Sequence, residues 1–300
     1  MDPLELVRLP GLMALTEGRP EVVVGLVDGP VEVDHPGLVA DRLRVLGPPS
    51  HGPTPPAEDN AAAGAAGLRH GTFVAGVLAA RRGSGAPGIA PGCSLLIRPI
   101  LTGGPGHSAP GASAGQLATA IVDLVVAGCR VLNVSAAFPG PSIGAGVQVR
   151  QALDFSMRRG ALVVAAAGNH GSVTASVLTR HPWVVPVAGY SLSGAVAGTS
   201  DLGRPVGAMG VGAPGEGVVS LLPGGGTGPG GGTSVAAPFV AGTAALLWSL
   251  HPTAPAGAIK DALRSSAATS RRGLAPPLLD AAAAWARLGA YRRKEPHHGT

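Results

Sequence analysis

Five short apolar runs punctuate the chain: Val22 to Val27, Leu95 to Ile97, Val131 to Val134, Leu162 to Ala167 and Val184 to Val187. Each is nearly unbroken by polar residues, which is how a strand reads when both of its faces are covered in a parallel sheet. Between the runs lie segments of helical character, Gly71 to Ala80, Gln116 to Ala127, Val147 to Arg159 and Ser234 to Leu250, with a further one near 278–288. Strand alternating with helix predicts one α/β domain, a doubly wound and mainly parallel β-sheet flanked by helices.

Small and polar residues mark the connections. Segment 47–67 is rich in Pro, Ala and Gly and reads as a loop insertion; 103–113 and 223–232 read as Gly-rich loops. Residues 1–21 are expected to pack as an extension on a domain running from 22 to 291. Residues 292–300 carry no apolar pattern and are expected to fray.

Composition narrows this picture. Gly (48) and Pro (29) fill about a quarter of 300 residues, near the level at which disorder competes. Because the glycines are interleaved with apolar runs of regular length, tight turns between packed layers are expected instead. The excess of 22 Lys and Arg over 17 Asp and Glu is scattered in short pairs, so no nucleic-acid surface is expected. Cys93 and Cys129 lack metal-ligand spacing and read as small buried residues. The first residues lack the features of a secretory signal, which implies a cytoplasmic protein. The apolar stretch Val235 to Leu250 contains Pro238 and is short for a membrane span, so it reads as a buried helix with no membrane partner.

Four local patterns could carry chemistry, and each has a plain alternative. Asp28 ends the first apolar run, where ligands collect at the carboxyl ends of parallel strands; it is equally a turn residue. His70 opens the apolar segment from Gly71, as a catalytic base or as a satisfied helix-terminal histidine. Asn169 closes the run Val163 to Gly168, as an amide donor to a developing oxyanion or as part of an Asn-His-Gly turn. Ser234 follows a glycine run and heads a long apolar helix, as a nucleophile or as an N-cap. A phosphate loop there would need Lys before the Ser, and Thr233 stands in its place.

Together the four fill the roles of acyl-transfer chemistry: nucleophile, base, carboxylate that orients the base, and oxyanion donor. The order Asp, His, Ser is that of subtilisin-type triads. Val27-Asp28-Gly29-Pro30-Val31, His70-Gly71-Thr72-Phe73-Val74-Ala75-Gly76, Ala166-Ala167-Gly168-Asn169 and Gly232-Thr233-Ser234-Val235-Ala236-Ala237-Pro238 resemble the signatures of the subtilisin family, over about Val22 to Leu250. The resemblance implies a serine endopeptidase acting through an acyl-enzyme. Asp28 would orient His70, His70 would act as general base and then acid, and Ser234 would attack. The Asn169 amide and the Ser234 N–H would hold the oxyanion. It further implies that a peptide substrate adds as a strand beside Ser135, Ala136 and Ala137, with Ala166, Ala167 and Gly168 on the opposite wall of its pocket.

Three departures from the family matter. Phe73 replaces a common second histidine. Gly37 follows Asp34-His35-Pro36, and the loop Arg81-Arg82-Gly83-Ser84-Gly85 lacks the oxygen ligands a hard cation wants, so no calcium site and no cofactor are expected. Only 27 residues precede Asp28, too few for a folding prodomain. Val27 to Val31 with His35-Pro36, Pro87 to Cys93 and Ala213 to Glu216 resemble the PatA-type proteases of cyanobactin pathways. That resemblance implies cleavage of the leader or recognition segment of a ribosomally made precursor peptide. A macrocyclising transpeptidase and a non-catalytic peptide-binding homologue are the alternatives. The Pro/Gly-broken composition of 47–67 is unlike the helical cap of the macrocyclising relatives and favours hydrolysis.

Overall fold

The structure, a computed structural model, describes residues 1–47, 58–101, 112–135, 143–266 and 273–292, with side chains described except at 58–61, 143–145 and 291–292. Helices α1 (Pro3–Leu6) and α2 (Pro10–Leu15) precede β1 (Val23–Asp28). There follow β2 (Leu43–Val45), α3 (Glu58–Ala79), β3 (Ser94–Pro99), α4 (Ala114–Val126), β4 (Val131–Val134), α5 (Ile143–Arg158) and β5 (Leu162–Ala166). Then come α6 (Val177–Arg180), β6 (Val184–Tyr190), α7 (Arg204–Met209), β7 (Val211–Pro214), and the hairpin of β8 (Val218–Leu222) and β9 (Gly226–Gly230). Helices α8 (Thr233–Leu250), α9 (Ala256–Ser265) and α10 (Ala281–Arg292) complete the described elements.

Seven strands form one parallel sheet in the order β2-β3-β1-β4-β5-β6-β7, and β8 and β9 pair antiparallel beside it. Successive residues of a strand enter opposite cores. Leu162 and Val164 pack with α3 and α8, whereas Val163 and Ala165 pack with α4 and α5. Unbroken apolar strands are therefore the physical requirement of a sheet with helices on both sides. The chain leaves β1 towards β3 and later returns to β4 on the other side. The crevice at the carboxyl ends of β1 and β4 is thus the switch point where such sheets hold ligands.

Helix α8 runs through the centre, buried from Thr233 to Ser249 with Trp248 fully enclosed. By length and composition it could cross a membrane, but 94% of that window is buried inside the fold. At the amino end, Asp2 caps α1 by accepting from Leu4 N at 2.7 Å, and Val7, Leu9 and Leu12 enter the core.

The structure corrects the sequence expectations in three places. The second part of 47–67 is helical, because α3 starts at Glu58 and passes through His70 without a break; residues 48–57 lie outside the described set. The Ala-rich stretch Asn60 to Ala66 favours helix strongly enough to carry Gly64, Gly67 and Gly71, each costing about 1 kcal/mol relative to Ala. Two of these glycines answer a tertiary need. A Cβ at Gly67 would stand 2.5 Å from the Leu101 carbonyl oxygen, and one at Gly71 would collide with the carbonyl oxygens of Gly29 and Pro30. Only a helix bare on that face can lie against the turn after β1. Second, part of the Gly-rich segment 223–232 is the strand β9, registered by its pairing with β8 and not by any side-chain pattern. Third, the short strands β2 and β7 and the helix α9 were not anticipated. Of the predicted tail, residues 293–300 lie outside the described set, as do most of 103–113.

Candidate active site

Asp28 is the last residue of β1 and its side chain is fully buried. His70 is in the interior of α3, not at its start as the sequence suggested, and the close approach of that helix brings its ring to the strand end. The His70 Nδ1–H donates to Asp28 Oδ1 at 2.6 Å, and Nε2 lies 2.9 Å from Ser234 Oγ. A carboxylate accepts only, so the proton of the neutral ring sits on Nδ1 and Nε2 is left to accept from the serine. Asp28 Oδ1 also accepts the Gly29 N–H at 2.6 Å, whereas Oδ2 has no partner among the described residues. The Asp28 charge raises the His70 pKa above its ordinary value; burial opposes this and the hydrogen bond to Asp28 adds to it. The ring is thereby prepared to take a proton from Ser234.

Ser234 lies in the first turn of α8, where backbone N–H groups lack helical acceptors and the helix dipole favours negative charge. Gly232 before it has φ +104°, a left-handed conformation that turns the chain from β9 into the helix. The Ser234 carbonyl presents a separate problem. Its helical partner would be the N–H of residue 238, and Pro238 has none. The Ser135 hydroxyl donates to that oxygen at 3.3 Å and in turn accepts from Asn133 Nδ2 at 2.7 Å. The end of β4 thus supplies the bond that the proline withholds, and the backbone of the candidate nucleophile is fixed.

Asn169 follows β5 and is tied to the same helix start. Its Oδ1 accepts from Thr233 N at 2.8 Å and from Thr233 Oγ1 at 3.0 Å. A backbone N–H cannot accept, so the amide oxygen is the anchored end and the NH2 group is left available to donate. The arrangement offers a hydroxyl paired with a base, a carboxylate behind the base, and amide donors beside the hydroxyl. Those are the parts of nucleophilic acyl transfer.

Of the residues expected to bind substrate, Ser135, Ala166, Ala167 and Gly168 stand at the ends of β4 and β5, while Ala136 and Ala137 lie outside the described residues. The Ala167 N–H is taken by Val187 O at 2.9 Å and the Gly168 N–H by Thr233 Oγ1 at 3.2 Å, so neither is free for a peptide. Sequence reasoning missed Thr233, Asn133 and Pro238. The first and last stand in the Gly-Thr-Ser motif and four residues after Ser234, but their roles need the positions of β4 and Asn169. Among the described residues no three His, Cys, Asp or Glu gather as a metal site.

Comparison with known proteins fits this geometry. Subtilisin NAT of Bacillus subtilis subsp. natto is 32% identical over 268 residues, covering 87% of this chain; the chain spans 64% of that protein's length. The structure of the prenylagaramide maturation protease PagA superposes with TM-score 0.79 at 28% identity, over 93% of this chain and 98% of that one. The patellamide maturation protease PatA gives TM-score 0.73 at 30% identity, over 91% and 98%. The PatG macrocyclase domain, at 22% identity and TM-score 0.80 over 94% and 97%, shares the fold. Residues 19–285 match the Subtilase family, Peptidase S8, a span that holds Asp28, His70, Asn169 and Ser234 alike, and the chain belongs to that family.

Proposed function

We propose that this subtilase is a serine endopeptidase that cleaves precursor peptides through an acyl-enzyme. The observation that carries the reading is the His70 ring bridging Asp28 at 2.6 Å and Ser234 at 2.9 Å. Ser234 Oγ attacks the scissile carbonyl carbon while His70 Nε2 takes its proton. The oxyanion is held by the Asn169 NH2 and the Ser234 N–H. His70 then gives the proton to the leaving amine as the C–N bond breaks, and an ester on Ser234 remains. Water, deprotonated by the same ring, attacks the ester, and as the bond from the carbonyl carbon to Ser234 Oγ breaks the ring returns the proton to that oxygen, which releases the acid and restores the serine. The precursor-peptide substrate rests on the likeness to PagA and PatA, both described as maturation proteases.

A transpeptidase reading is favoured by one observation: α3 is helical from Glu58, where a Pro/Gly-broken loop had argued for hydrolysis. There the substrate's own amine would replace water in the second step. The first test is labelling by a fluorophosphonate probe. The native protein is expected to label and Ser234→Ala to stay unlabelled, since loss of the subtilisin nucleophile costs about 10⁶-fold in turnover. An unlabelled native protein defeats the catalytic reading. Mass spectrometry of a processed candidate peptide then separates the outcomes, because a cyclic product is lighter than the linear one by one water.

A further inference from the structure

Asp201 belongs to none of the motifs, yet it organises the loop that carries Asn169. It is 3% exposed, and its carboxylate accepts four hydrogen bonds: from His170 N at 3.0 Å, His170 Nδ1 at 3.0 Å, Ser172 N at 3.0 Å and Ser172 Oγ at 2.8 Å. Its own N–H donates to Gly168 O at 2.9 Å. Asn169 is therefore bracketed by contacts to Asp201 at Gly168, His170 and Ser172. A Cβ at Gly168, whose φ is +120°, would collide with the Asp201 carboxylate, so glycine is required for the two to meet.

Asp201 is itself held rigidly. The neighbouring Ser200 Oγ accepts from Gly189 N at 2.8 Å and donates to Gly189 O at 3.1 Å, and Ala197 N donates to the same oxygen at 2.9 Å. The turn that presents Asp201 is thus fastened to β6, independently of α8, which holds the other end of Asn169 through Thr233. Burial alone would raise the Asp201 pKa, but the hydrogen bonds from His170 and Ser172 reverse this and lower it, so the carboxylate stays ionised. Bonds to an ionised acceptor are about twice as strong as neutral ones.

We infer that Asp201 is a positioning residue for the oxyanion hole, acting through Asn169: it locks residues 168–172 so that the amide NH2 is preset where the oxyanion forms. An oxyanion donor is effective only when preorganised. Donation to the Asn169 oxygen by Thr233 fixes the amide plane, and the Asp201 clamp fixes the backbone beneath it. The inference rests on the proposed role of Asn169.

The test is saturation kinetics of fluorophosphonate labelling, which gives kinact and KI separately, for the native protein, Asp201→Ala, Asp201→Asn, Asn169→Ala and the Asp201→Ala/Asn169→Ala pair. Removal of the side-chain oxyanion donor in subtilisin costs about 10²–10³-fold in turnover, and a fall of that order in kinact is expected for Asn169→Ala. Asp201→Ala is expected to lower kinact about tenfold with KI within about twofold, and to lower it by less than about twofold when Asn169 is already Ala. Asp201→Asn keeps an acceptor for the two backbone donors and is expected to stay within about threefold of native. Where Asp201→Ala does not fold, Ser172→Ala replaces it, with a fall of about threefold that disappears in the Asn169→Ala background.

Equal falls in both backgrounds, or an unchanged kinact in Asp201→Ala beside a slowed Asn169→Ala, overturn this inference alone. A native labelling rate in Asn169→Ala overturns the oxyanion reading and this inference with it.

Discussion

The relay of Asp28, His70 and Ser234 and the node around Arg82 are both polar and both at least partly buried, yet their hydrogen bonds run to different partners, side chain to side chain in the relay and guanidinium to backbone carbonyls at Arg82. Arg82 donates to Met13 O at 3.2 Å, Thr16 O at 3.3 Å and Ile89 O at 2.7 Å. Its guanidinium acts as a built-in cation that ties the end of α2 to the turn after α3, where its pKa is lowered by burial and supported by Glu17. In the relay, Asp28 Oδ2 has no partner among the described residues and the Asn169 NH2 remains available. Arg82 Nε likewise has no partner among the described residues, so what sets the node apart is that its two terminal nitrogens bind backbone carbonyl oxygens, for which loss of a partner costs about 1–3 kcal/mol each. A chemical site keeps capacity for a charge that appears only during reaction.

The comparison can be broken first at its chemical end. Asp28→Asn is expected to lower turnover about 10⁴-fold, because the amide no longer selects the tautomer with Nε2 free. The same variant sharpens the electrostatic argument. In the proposed mechanism the neutral His70 ring is the active form and Asp28 raises its pKa, so activity is expected to fall as pH drops through a midpoint above the ordinary histidine value. In Asp28→Asn the residual activity is expected to show that midpoint at lower pH; an unmoved acid limb would mean that another group sets it.

At the structural end, Arg82→Met strands three carbonyl oxygens and is expected to cost about 1–3 kcal/mol in denaturant unfolding. Labelling per folded molecule should be unchanged. A labelling rate that fell with stability intact would place Arg82 in the chemistry and erase the distinction. The smallest effect is expected of a chelator. With a guanidinium bonded to those carbonyls, Tm should be the same with and without chelator, and a drop would reveal a bound cation elsewhere.

The two regions also differ in how far the sequence disclosed them. Asp28, His70, Asn169 and Ser234 each stand in a compact motif beside an apolar run, so residue type and local pattern were enough to select them. Arg82 was noted only for lacking metal ligands, since all three of its acceptors are backbone oxygens, which every residue owns. Asp201 gave no signal either, because its partners lie about thirty positions upstream and its service is to another residue's placement. The early start of α3 was obscured because its glycines, read locally, break a helix, while in the fold they relieve contact with Gly29, Pro30 and Leu101.

The sequence by itself determined the central strands β1, β3, β4, β5 and β6 and singled out the candidate reacting groups. Burial on both faces leaves an unbroken apolar run, and the chemistry admits few residue types. Only the tertiary structure decided that Ser135 completes the hydrogen bond Pro238 cannot make, that β9 is a strand, and that Asp201 holds the loop carrying Asn169. Each of these depends on backbone atoms brought together from distant parts of the chain, and such pairings leave no periodic trace in the order of side chains.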